Sequence, residues 1–95
     1  MSAYVIVDVD VTDPPLYEEY KELAAPTVAQ QGGRYVVRGG AVEVLEGQRT
    51  PHRVVVLEFP SVGHARRWWD SAEYGRAKAI RQRAATTEML VVQGI

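Results

Sequence analysis

Three observations predict an α+β fold in which helices cover one side of a four-stranded antiparallel sheet. Apolar residues occupy every second position through "AYVIVDVDV" and again through "HRVVVLEF", the period of two that belongs to strands. Stretches with helical spacing, each preceded by a polar capping residue, follow those two runs. The segments come in the order strand, helix, strand, strand, helix, strand, and right-handed crossovers then place the helices together on one side of the sheet.

In the first strand, Ala3 to Val11, the residues Val5, Val7, Val9 and Val11 point one way, while Tyr4, Ile6, Asp8 and Asp10 point the other. In "TDPPLYEEYKELAAPTVAQQGG" Asp13 is the expected N-cap, with Pro14 at the first helical position and Glu18 and Glu19 near the positive end of the dipole. Leu16, Tyr20, Leu23, Ala24 and Thr27 make one helical stripe, and Gly32-Gly33 supplies the left-handed ending. Pro26 removes a backbone hydrogen bond, so a kink or break is expected near Ala25.

"RYVVRGGAVEVLEG" reads as an edge strand with a bulge or bend at Gly39-Gly40. The next strand carries Arg53, Val55, Leu57 and Phe59 on one face and Val54, Val56 and Glu58 on the other. Ser61 and Ser71 cap two consecutive helices, the second of which turns Tyr74, Ala77 and Ile80 or Arg81 inward. "TTEMLVVQGI" is the closing strand. Together these make one domain, residues 1–95, with a ferredoxin-like βαββαβ order and the first and third strands at the centre. Helices cover only one side of such a sheet. The other side is expected to expose an apolar patch drawn from Val54, Val56, Leu90 and Val92, which predicts a homodimer closing as a dimeric α/β barrel.

Composition narrows the partners. Eleven basic against twelve acidic residues leave no positive field for a phosphate backbone, so nucleic acid is not an expected partner. The N-terminal run has neither the basic flank of a signal peptide nor the length of a membrane span, so no membrane is expected and a cytoplasmic location is the default. Cysteine is absent, which excludes disulfides, thiolate nucleophiles and Cys-based metal sites. His52 and His64 show no ligand spacing and are read as surface residues, with His64 as an axial haem ligand the minor alternative. No cofactor and no metal is expected.

The run "VVRGG", then "RVVVLEFPS", then "WWDSAEY" with Arg81, then "VVQG", resembles the bacterial family known as domain of unknown function thirteen-thirty, within the dimeric α/β-barrel superfamily. The resemblance spans nearly the whole chain. It implies a ferredoxin-like dimer and no activity, and Trp69 departs from the tyrosine or other aromatic frequent at that place in the family. Relatives in the wider superfamily include cofactor-independent monooxygenases, haem-degrading enzymes, isomerases and small-molecule sensors, so fold alone does not choose among them.

The candidate ligand-binding residues are Tyr17, Tyr20, Arg38, Glu58, Trp68, Tyr74 and Arg81. Arg38 and Glu58 are charges placed among valines. A hairpin centred near Gln48-Arg49 would set them opposite each other, as an ion pair ordering the sheet or as a site binding a carboxylate or enolate oxygen. The aromatic residues and Arg81 either fill the core or edge a helix-sheet cleft suited to a small acidic or aromatic metabolite. Two function classes stand open: a non-catalytic binder or sensor, and a cofactor-independent enzyme of monooxygenase or isomerase type working through acid-base groups.

Overall fold

The computed structural model describes residues 1–95, the whole chain. The strands are β1 (Ala3–Val11), β2 (Arg34–Arg38), β3 (Arg53–Phe59) and β4 (Ala85–Gln93), and the helices are α1 (Pro14–Gln30), α2 (Val62–Asp70) and α3 (Ala72–Ala84). They form one antiparallel sheet in the order β2-β3-β1-β4, so β1 and β3 are the central pair and β2 lies at an edge, as the ferredoxin-like order requires.

Local chemistry sets the ends of the elements. The Asp13 carboxylate accepts from the Leu16 amide at 3.2 Å, with prolines opening α1 behind it. Ser61 and Ser71 accept from the His64 and Tyr74 amides, and Ser71 divides α2 from α3. Gly32, at φ 77°, ends α1 in the left-handed conformation.

Alternation places Ala3, Val5, Val7 and Val9 of β1 and Val55, Leu57 and Phe59 of β3 beneath the helices, where all are buried. Tyr17, Ala24, Thr27 and Val28 of α1, Ala65 and Trp68 of α2, and Tyr74, Ala77, Arg81 and Ala84 of α3 close over them. The helix α1 is therefore turned slightly from the stripe expected: Tyr17 and Val28 face in, while Leu23 faces out. It also runs unbroken through Pro26. Pro26 and Glu22 are both on the exposed side, so the carbonyl that loses its partner there faces water.

The segment after β2 departs most from expectation. Pairing with β3 stops at Arg38, and residues 39–52 are not a strand. The bulge falls between Tyr35 and Val37 rather than at the glycines. Gly39, at φ 75°, turns the chain out of the ladder, and a side chain at that position would collide with the Arg53 guanidinium.

Candidate functional site

The ends of β2 and β3 and the first turns of α1 bound a cleft between the helices and the sheet. Tyr17, Tyr20, Arg38, Trp68 and Arg81 line it, as the sequence expects, together with Lys21, Tyr35 and Arg53 over a floor of Val7, Val9, Val55 and Leu57. Tyr74 stands behind this lining. Its hydroxyl lies 3.0 Å from that of Tyr20 and accepts from Arg81 Nε at 3.3 Å, while Arg81 also donates to Thr87 Oγ1. Trp68 packs against Tyr74 with ring centroids 4.0 Å apart, and its indole N–H donates to Thr27 Oγ1 at 3.1 Å.

These side chains interlock. The enclosed space is about 20 Å³, room for a single water and not for a metabolite. Trp68 and Arg81 are thus at once part of the core and the inner wall of the cleft, with Tyr74 packed behind them, and only the mouth is accessible. At the mouth the Arg38 guanidinium lies 4.4 Å from the centre of the Tyr35 ring, and that of Arg53 lies 5.7 Å from the centre of the Tyr17 ring. Lys21 is paired with Glu18 at 2.9 Å. Neither Arg38, Arg53 nor Arg81 has a carboxylate within 4.0 Å, and the buried Nε of Arg53 has no hydrogen-bond partner.

Glu58 is not part of this site. It lies on the opposite face of the sheet, where it accepts from Arg34 at 2.7 Å and from the Tyr4 hydroxyl at 3.1 Å. The expected Arg38–Glu58 pairing is corrected by the register, in which Arg34 stands opposite Glu58 and Arg38 opposite Val55. A symmetric hairpin about Gln48-Arg49 would pair them, whereas the connection is a long irregular segment that leaves the ladder at Gly39.

The cleft contains phenols and guanidiniums but neither carboxylate nor imidazole. Burial, then the neighbouring Tyr74, push the Tyr20 hydroxyl far above the ordinary tyrosine value. Burial raises Tyr35 as well, partly offset by the Arg38 charge. Both phenols stay protonated near neutral pH, and the chemistry on offer is hydrogen-bond donation and positive charge. His52 and His64 are outside the cleft: His52 lies 3.7 Å from Asp8 and from Asp10, and the Nδ1 of His64 lies 2.7 Å from the capping Ser61 hydroxyl. No cluster of histidine and carboxylate side chains has the arrangement of a metal site.

Sequence reasoning missed Tyr35, Lys21 and Arg53. Of these Arg53 was findable, as the one charge on the otherwise apolar face Arg53, Val55, Leu57, Phe59.

A second depression lies between α2 and the free edge of β4, lined by Val5, Ala65, Trp68, Trp69, Met89, Leu90 and Val91 with Arg66 as its one charged residue, and holds about 160 Å³. That volume takes a benzene-sized or leucine-sized group.

Comparison with solved structures shows the same fold. RPA0582, a protein of unknown function from Rhodopseudomonas palustris, is 20% identical with a TM-score of 0.79, the match covering 99% of this chain and 82% of that one. SnoaB, a cofactor-independent oxygenase from Streptomyces nogalater, is 15% identical with a TM-score of 0.67 over 99% of this chain and 93% of that one. A dimeric ferredoxin-like protein of unknown function from Thermobifida fusca is 16% identical with a TM-score of 0.65 over 99% and 92%. No curated protein sequence matches. The family model described as domain of unknown function (DUF1330) matches residues 2–95, so every element described above falls within it and the chain belongs to that family.

Proposed function

We propose that this protein is a homodimer that binds a small organic anion at the mouth of the helix-sheet cleft. The observation that carries the reading is the pair Arg38 and Arg53, two cations set against the Tyr35 and Tyr17 rings with no carboxylate to neutralise them. A ligand carboxylate would pair with the Arg38 and Arg53 guanidiniums, and a planar apolar body would lie against the tyrosines. Since the interior holds only about 20 Å³, the body of the ligand stays at the mouth.

Dimerisation is supported by the uncovered face of the sheet. Ile6, Val37, Leu90 and Val92 are exposed there beside half-buried Tyr4, Val54 and Val56. The molecule is a slab of 35 × 34 × 16 Å, and its broad side offers the roughly 800 Å² per partner that a standard interface uses. The dimeric ferredoxin-like protein from Thermobifida fusca agrees with this reading. Light scattering at low micromolar concentration is expected to give about twice the 10.6 kDa of the chain, and a monomer there would remove the dimer.

The enzymatic alternative has one specific support, the shared fold with the cofactor-independent oxygenase SnoaB. With no base in the cleft, such an enzyme would act by stabilising an oxyanion through its arginines and phenols. Calorimetric titration with aromatic carboxylates, keto acids and inorganic phosphate tests the site. Binding of an organic acid that Arg53→Met weakens about tenfold or more supports it, and binding that survives both Arg53→Met and Arg38→Met unchanged overturns it. Turnover of a bound acid under oxygen would select the enzyme.

A further inference from the structure

The segment 39–52 combines properties that a surface loop does not need. Through "AVEVL" valines alternate with a glutamate, the pattern of a strand, yet Val42, Val44 and Leu45 are exposed, Leu45 by 91%. After the Gly39 amide, which donates to Val54, no backbone group up to residue 51 forms a backbone hydrogen bond within the chain. A strand-patterned segment with free amides and carbonyls needs an edge to pair with. Its base is fixed on the uncovered side of the sheet: Arg49 binds Glu88 and lies 3.5 Å from Asp8, and the His52 amide donates to Asp8 at 2.8 Å. The free part therefore projects from the side on which the proposed partner copy lies.

Within the same molecule there is one long unpaired edge that fits it. The strand β4 is bonded only to β1, extends from Ala85 to Gln93 without a register shift, and exposes Leu90, Val91 and Val92 beside the 160 Å³ groove. The other edge, β2, is short, bulged and has arginine at each end, features that blunt edge pairing. Charge agrees as well. Glu43 and Glu46 have no basic partner within the chain, and Arg66, at the rim of the groove, has no acidic one.

We infer that residues 41–46 form an arm that adds to the free β4 edge of a second copy, seating Leu45 in the groove between α2 and β4 of that copy and setting Glu43, on the same face of the arm, toward its Arg66. The inference rests on the homodimer proposed above and specifies what each copy lends the other: a side chain that fills the groove against Trp68 and Trp69. Two-fold symmetry doubles the contact, since each arm reaches the other copy's groove.

The absence of cysteine makes the test direct. A Leu45→Cys protein mixed with a Val91→Cys protein, and oxidised after subunit exchange, is expected to give a disulfide-linked pair, because a disulfide requires the two Cα atoms within about 7 Å. Leu45→Cys mixed with Arg76→Cys, on the exposed side of α3, is expected to give none. Leu45→Glu, at a position with no packing within its own chain, is expected to leave the fold intact and to weaken the dimer about tenfold or more. A dimer of unchanged affinity in Leu45→Glu, with the Leu45→Cys thiol reacting as fast as a free thiol, overturns the arm and leaves the dimer standing. A chain that is monomeric at all concentrations overturns both.

Discussion

Both faces of the sheet carry aliphatic side chains, and the two have opposite fates. Toward the helices, Val5, Val7, Val9, Val55, Leu57 and Phe59 are sealed under Trp68 and Tyr74. Away from them, Ile6, Val56, Leu90 and Val92 form an apolar centre inside a charged rim of Asp8, Asp10, Arg34, Arg49, Glu58 and Glu88. A closed core ends in apolar contact; an apolar centre with a polar rim is the make-up of an interface. The sharpest test places the same charge on neighbouring positions of β1. Val7→Asp sets a carboxylate in the core without a partner, and the chain is expected to be unfolded by circular dichroism. Ile6→Asp, one residue away, is expected to retain native helix content and melt cooperatively, but to be a monomer by light scattering. If Ile6→Asp remains a dimer, the outer face is not the interface.

A smaller effect separates packing from recognition on the covered face. Trp68 is 2% exposed and touches Phe59, Trp69 and Tyr74, so Trp68→Ala should destabilise by about 3–5 kcal/mol in denaturant unfolding. Arg53→Met, at the mouth, should alter stability little while reducing anion binding. A large stability loss in Arg53→Met would make that side chain structural.

This contrast also explains what the sequence could reveal. Alternation in β1 and β3 marked both faces, and the caps Asp13, Ser61 and Ser71 marked the helix starts, because each of these signals is local. The partners of Arg38 and Glu58 were not legible, since register across a long irregular connection depends on where the ladder stops and not on the turn residues. The orientation of α1 was half legible. Adjacent helix positions differ by about 100°, and Tyr17 against Leu23 is decided by the shape of the cleft it packs into. Of the candidate residues, the aromatic group and Arg81 come together, whereas Glu58 shows that a charge among valines identifies an unusual strand position without saying on which face its partner waits.

Within the covered face, the Tyr20–Tyr74–Arg81 chain sets the next magnitude. Tyr20→Phe removes one hydroxyl from a partly buried contact and is expected to cost about 1 kcal/mol. If the chain only orders the core, this loss should appear in unfolding and leave anion affinity at the mouth unchanged. A change in affinity without a change in stability would extend the binding site inward to Tyr20.

The smallest effect belongs to the outer face and is read through pH. Donation from Arg34, then from Tyr4, holds the Glu58 carboxyl below its ordinary value of 4.5, while the same bond to Glu58 pushes the Tyr4 hydroxyl up. A carboxyl whose folded value is depressed contributes stability at pH above the unfolded value, and that contribution is lost as pH falls through the folded one. Unfolding measured from pH 6 downward should therefore show wild-type stability declining below about pH 4.5, and Glu58→Gln should flatten part of that decline. Arg34 is largely exposed, so in a monomer added salt should screen the pair and shrink the difference between the two proteins. In the dimer the partner sheet would cover part of this rim pair and reduce its access to water and ions. The wild-type difference should then resist salt, and the corresponding difference measured in the Ile6→Asp background should not. Equal salt sensitivity in the two backgrounds would place Glu58 outside the interface and confine the buried part of the outer face to Ile6, Val56, Leu90 and Val92.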